Sequence, residues 1–449
     1  MHLKKEANTA EKFALHEKSY PRWIIFFTVI ATMIGPGYSY GAINKFYDYG
    51  FLYTIFFLIA VLQLWIFGHF FVGRIKTLGV NARTIGDLIG QAYGKKSQII
   101  AGLLTFAFST AIVGVISLGG GKVISNILDI PLNISIVAVA AFITGYSMYG
   151  GIAAVIRTDK IQFVLICIFL IIGVIAGIYQ FNSSTITTAS ITDFLWPTAA
   201  KQMPLNTIFA TAIAFFFGEM FLPVYSIRGL ISKNKEEAIR GFKNAAYFGV
   251  IWFFALTFIG MTAHYFITNN SVDDLYYIDL IKATYKGLGG SFLIGLGIAG
   301  MLSVVMSTMD SILNAGGVSF SRDIAEKVLK IDEEQKLGYS RYSIIIIAAF
   351  GIFITIFTKD IVGLLLWAYN LWVPTIIFPL GYYLLKGKVK NPLSGFIGML
   401  FGVIGWFTFE IIFKVKFPAI IIGLLLNATS FLIVEYFIKV KDVGDISNN

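Results

Sequence analysis

The residues best suited to chemistry lie between Ala299 and Asp323, AGMLSVVMSTMDSILNAGGVSFSRD, in a stretch apolar enough to be buried in a membrane. Val304, Ser307, Thr308 and Ser311 stand at i, i+3, i+4 and i+7, which is one face of a helix. Asp310 lies beside that face. A carboxylate inside a membrane span costs about 2.5–3.5 kcal/mol on insertion scales, so it needs a partner or a task. Hydroxyls alone would be packing groups that bond back to their own carbonyls. With Asp310 added, the face becomes an oxygen-rich surface suited to a hard cation.

Such a face needs oxygens from elsewhere, and two breaks in apolar segments can supply them. Ile34-Gly35-Pro36-Gly37 interrupts the first apolar segment. Proline removes an amide donor and the glycines loosen the backbone, so an unwound stretch is expected near the midplane. Gly218-Glu219 followed by Pro223 interrupts the sixth. Unwound backbone at that depth is tolerated only where protein buries it or a cavity hydrates it. Ordinary proline kinks are the plainer explanation. Glu219 argues against it, since a bare carboxylate at a break calls for a cation, a proton or a cationic substrate group.

The elements that must position these residues are membrane helices. Of 449 residues, 57% are hydrophobic and 13% charged, which excludes an ordinary soluble domain. Twelve spans are expected, at 22–47, 51–73, 98–127, 132–150, 158–180, 205–226, 242–267, 288–318, 340–358, 361–385, 393–413 and 418–438. Residues 1–21 and 439–449 form polar tails. The fold class is an all-α polytopic membrane protein. The net charge of +10 would suggest nucleic acid in a soluble chain. Here most basic residues, Arg228 among them, fall in alternate loops, so they report cytoplasmic termini instead. The intervening loop 268–286 carries Asp273, Asp274 and Asp279. KNKEEAIRG and RDIAEKVLKIDEEQK read as interfacial helices. The N-terminus lacks the pattern of a cleaved signal peptide, so the first span is expected to be retained. A lone cysteine, Cys167, permits no intrachain disulfide.

Spans 1 and 6 are corresponding members of two five-span halves, 1–5 and 6–10. Paired broken helices in such halves point to an inverted-repeat transporter with its site at the breaks. Repeat 1 covers 22–180, repeat 2 covers 205–385, and two further helices occupy 386–438.

Three stretches resemble the sodium:solute symporter family. They are Tyr149-GGIAAVIRTDKIQ to Gln162, MLSVVMSTMDSILNAGGVSFSRDI, and FLPVYSIRGLISKNKEEA. Ala31 to Gly50 is similar to the family's first core helix, whereas Glu219 has no place in the family pattern. The resemblance implies a LeuT-like 5+5 inverted repeat with sodium as coupling ion, and a small organic solute as cargo in the cell membrane. It also implies a main sodium site at the carbonyls of Ala31, Ile34 and Val304 with the hydroxyls of Ser307 and Thr308. A second sodium site would involve Asp159, Asp310 and Ser311. Substrate is expected near Gly35, Gly37, Tyr38 and Glu219, with Asn370 of WAYNLW in span 10 as a further candidate. An amino acid or a monocarboxylate fits this expectation.

Other classes remain open. A proton-coupled transporter of the same fold would titrate Asp159, Asp310 and Glu219. A transporter-like sensor would require a signalling domain, and the sequence shows none. No paired polar motif at a membrane face suggests an enzyme. Gly119-Gly120-Gly121-Lys122 departs from a phosphate loop and lies in an apolar span, where Lys122 is expected to snorkel outward. His2, His16, His69 and His264 lack ligand spacing. Gly173-x3-Gly177 and Gly398-x3-Gly402 are packing motifs, within the chain or between copies. Monomer and homodimer are equally compatible with the sequence.

Overall fold

The computed structural model describes residues 9–16, 19–182, 188–195, 197, 202–267, 275–414 and 418–438. Asp273, Asp274 and the C-terminal tail lie outside them. The described residues form helices in the order α1 (Ala10–Ala14), α2 (Arg22–Met33), α3 (Tyr40–Tyr49), α4 (Phe51–Leu78), α5 (Ile85–Tyr93) and α6 (Lys95–Leu128). Then come α7 (Leu132–Asn182), α8 (Thr188–Leu195), α9 (Leu205–Phe217), α10 (Pro223–Ile231), α11 (Lys235–Phe266) and α12 (Tyr276–Thr284). The order ends with α13 (Gly287–Leu329), α14 (Glu333–Ile354), α15 (Ile361–Lys386), α16 (Leu393–Ile412) and α17 (Ala419–Phe437).

Nine of these are long and apolar enough to cross a membrane. The 51 residues of α7 extend about 76 Å at 1.5 Å per residue, more than twice a hydrocarbon core of about 30 Å. Gly151 divides it, with φ 58° and ψ −172°, a conformation that favours glycine. The expected fourth and fifth spans are its two arms. The expected first span is α2 and α3 with a short 3₁₀ turn, Pro36–Tyr38, between them. The expected sixth is α9 and α10 flanking residues 218–222, with Phe221 at φ 62°. KNKEEAIRG is not a separate interfacial helix. It continues into α11, whose cap is Asn234 accepting from the Glu237 amide at 2.9 Å.

Around the site, α13 packs along α7, and α2 lies against α7, α11 and α13. The two glycine motifs pack within the chain. A Cβ on Gly173 would lie 2.7 Å from Ile259, one on Gly177 2.7 Å from Phe258, and one on Gly398 2.8 Å from Asn427. On Gly402 it would stand 1.9 Å from the Pro374 carbonyl. Pro379 deprives the Thr375 carbonyl of its helical donor, and Asn427 Nδ2 donates to that oxygen at 2.7 Å.

Residues 9–16 fall within the polar tail of the sequence analysis. Helix α1 folds under the bundle, with Phe13, Ala14 and Leu15 buried and Asn314 Nδ2 donating to the Phe13 carbonyl at 3.2 Å. Nearby, the buried Asp323 accepts from Thr84 at 2.8 Å, Gln98 at 3.0 Å and Ser319 at 2.6 Å. Arg322 pairs with Asp87 at 3.1 Å. Lys122 is 5% exposed and lines a cavity with Asp48 and Asp360.

Candidate functional site

The break after α2 releases three carbonyls, each for a stated reason. Ala31 O would accept from the Gly35 amide in a continuous helix, but that amide donates to Met33 O at 2.8 Å. Thr32 O would need the amide of Pro36, which has none. Ile34 O would need the Tyr38 amide, which donates to Gly35 O at 3.0 Å. Freed oxygens inside a membrane must find other partners.

Helix α13 provides them. Ser307 Oγ donates to Ala31 O at 2.7 Å and lies 3.2 Å from Val304 O. Thr308 Oγ1 lies 3.2 Å from Thr32 O and 3.5 Å from Ala31 O. Four of the five residues anticipated for the main ion site, Ala31, Val304, Ser307 and Thr308, therefore meet at one point. From α13 the hydroxyls reach Ala31 and Thr32 rather than Ile34. Gly35 permits the approach, since a Cβ there would stand 3.2 Å from Thr308 Cγ2.

One helical turn away, Asp159, Asp310 and Ser311 gather around a residue that the sequence reading placed in a loop. Arg228 is wholly buried on α10. Its Nη2 donates to Ser311 Oγ at 2.7 Å and Thr32 Oγ1 at 2.9 Å, Nε to Thr28 Oγ1 at 3.2 Å, and Nη1 to Val224 O at 3.3 Å. Asp159 Oδ2 lies 3.7 Å from Nη2 and accepts a short hydrogen bond from Thr28. Asp310 Oδ2 faces Tyr146 OH at 3.4 Å and Thr158 Oγ1 at 3.5 Å. Asp159 Oδ1 and Asp310 Oδ1 are buried with no hydrogen-bond partner among the described residues. If both carboxylates ionise, they outnumber the guanidinium by one, which leaves a demand for one monovalent cation or proton.

Beyond Thr308 lies a small cavity of about 40 Å³, room for about three waters. Gly35, Gly37, Tyr38 and Glu219, the residues expected near substrate, line it. Asn370 does not; its neighbour Tyr369 does, because a helix turns adjacent side chains about 100° apart. Glu219 Oε2 accepts from Tyr225 OH at 2.6 Å and Oε1 from Tyr369 OH at 2.9 Å. Tyr38 OH is 3.1 Å from Tyr369 OH. Trp372 Nε1 donates to Met220 O at 3.0 Å, bracing the break from α15.

Sequence reasoning missed Thr28, Thr32, Arg228, Tyr225 and Tyr369. A signal existed for three of them. Thr28 and Thr32 are four apart on α2, and Arg228 interrupts the apolar run VYSIRGLI.

Two broken helices, with an oxygen cluster between α2 and α13, define a LeuT-like transporter fold. A sialic acid symporter described as Na+-coupled, solved in a substrate-bound outward-open state, superposes with TM-score 0.80 at 19% identity. The superposition covers 97% of this chain and 93% of that one. Residues 13–402 match the sodium:solute symporter family, and the chain belongs to it. It is 23% identical over 326 residues to the uncharacterized symporter YwcA of Bacillus subtilis, covering 70% of this chain and 62% of that protein. It is 21% identical over 446 residues to the sodium/pantothenate symporter of Escherichia coli, covering 95% of this chain and 90% of that protein.

Proposed function

We propose that this protein is a multi-pass cell-membrane symporter that couples sodium entry to uptake of a small organic solute by alternating access. The observation that carries this reading is the convergence of the released Ala31 and Thr32 carbonyls with the Ser307 and Thr308 hydroxyls. Sodium there would be ligated by Ala31, Val304, Ser307 and Thr308, with the freed Ile34 carbonyl within the same break. Rotating the two hydroxyls turns their lone pairs from carbonyl partners to the ion. Sodium would thereby tie α2 to α13 and order Gly35–Tyr38, which also line the substrate cavity. Each ligand then raises the affinity of the other.

Twelve crossings with cytoplasmic termini place the repeats at 22–180 and 205–385 and the additional helices at 386–438. Asp159, Asp310 and Ser311 take a second monovalent cation beside Arg228. Their unpartnered oxygens also suit a proton, which is the second reading. Amino acids and monocarboxylates are the candidate solutes.

Uptake into proteoliposomes tests the proposal. A sodium gradient should drive accumulation of a labelled amino acid or monocarboxylate. Accumulation driven equally by a pH gradient in sodium-free potassium buffer would replace sodium coupling with the proton reading.

A further inference from the structure

Glu219 is the one acidic or basic side chain among the described residues lining the central cavity. It is 6% exposed, and no lysine, arginine or histidine nitrogen among the described residues lies within 4 Å of its carboxylate. Arg228, nine residues further on, is engaged with Thr28, Thr32, Ser311 and Asp159. Tyr225 and Tyr369 each donate one hydrogen bond to Glu219, which satisfies part of its hydrogen-bonding capacity and leaves its charge uncompensated.

Apart from Thr32, Thr308 and two glycines, the rest of the lining is aromatic or aliphatic. Phe108 stacks on Tyr369 with ring planes 11° apart, and Tyr38 packs edgewise on Phe57. An aromatic wall next to a buried carboxylate is a receptor for an organic cation, through Coulomb attraction and the ring quadrupole together. It disfavours an anion, which would meet Glu219 in a medium that screens poorly. It also disfavours a sugar, because the polar side-chain atoms here, Thr32 Oγ1, Thr308 Oγ1 and the tyrosine hydroxyls, are already bonded within the protein.

We propose that the transported solute carries a positively charged nitrogen seated on Glu219 between Tyr38, Tyr225 and Tyr369. The inference rests on the symporter reading and selects the amine-bearing solutes from its candidates. The ammonium sits against the two carboxylate oxygens while the tyrosine donors stay in place. Solutes lacking the charged nitrogen are rejected because they bury Glu219 without a counter-charge.

The test compares isosteric pairs by thermal unfolding of the purified full chain in sodium chloride. L-Alanine is set against L-lactate, and ethanolamine against ethylene glycol, each differing by an amine for a hydroxyl. At least one amine should raise the unfolding temperature while its hydroxyl partner leaves it unchanged. Glu219→Gln should weaken that amine at least tenfold and keep the sodium-specific rise. Tyr369→Phe retains the carboxylate and should still bind the amine, more weakly, so it serves if Glu219→Gln does not fold. Response to lactate or glycol instead, response to no probe, or an amine response undiminished in Glu219→Gln would each overturn the inference. In all those cases a sodium-specific rise in the unaltered protein leaves the symporter reading standing, whereas loss of that rise removes the symporter reading itself.

Discussion

Replacing Ser307 and Thr308 together by alanine removes both hydroxyl oxygens from the proposed sodium site and leaves only backbone carbonyls. A hydrogen-bonding contact to a charged group contributes about 1.5–3 kcal/mol. Two contacts at the lower figure give about 3 kcal/mol, roughly a hundredfold in dissociation constant at 1.4 kcal/mol per decade. At a sodium concentration one hundred times the original constant, the ion stabilises the folded protein by about 2.7 kcal/mol. In the double variant the same concentration merely equals the constant, and stabilisation falls to about 0.4 kcal/mol. The variant also loses the bonds to Ala31, Thr32 and Val304, but that loss is common to all salts. The assay is therefore the difference in unfolding temperature between sodium and potassium chloride at equal ionic strength. Thr308→Ser keeps an oxygen at the site and should retain most of the difference. A double variant with the full sodium-specific rise would show that the ion binds elsewhere, and the derivation from released carbonyls would fail.

Two further perturbations probe the framework of the site. Arg228→Met leaves Asp159 and Asp310 buried without their cation and should cost about 3–5 kcal/mol in thermal unfolding. Adding Asp159→Asn should recover part of that loss, and strict additivity of the two changes would refute the pairing. At the other end of α13, Gly86→Ala would set a Cβ 2.2–2.5 Å from the Asp323 carboxylate. Overpacking of this kind costs about 1–3 kcal/mol, and a wild-type unfolding midpoint would contradict the packing seen there.

Much of this protein was legible as one-dimensional pattern. Apolar runs of about 20 residues mark membrane helices whatever their neighbours, because the bilayer requires every backbone group to be satisfied within its own segment. The breaks at Gly35–Gly37 and Gly218–Pro223 were equally legible, since proline and glycine act on their own backbone. Ser307, Thr308 and Asp310 declared themselves by being polar where polarity is costly. Arg228 was harder. It stands near the end of an apolar run, where charge alone does not separate a loop residue from a buried one. Only the fold of α10 against α2 and α13 turns its guanidinium toward Thr32, Ser311 and Asp159.

The same limit explains Asn370 and Tyr369. The sequence marked their helix as rich in groups that could face a cavity, and the polar amide drew attention. The rotation of α15 instead presents the tyrosine to Glu219, a residue 150 positions earlier. What the sequence determined by itself were the helices, their breaks and the polar atoms they could not hide, all consequences of local chemistry in an apolar solvent. Which of those atoms meet was decided by tertiary packing, because helix rotation and crossing follow from the shapes of all the neighbouring side chains at once.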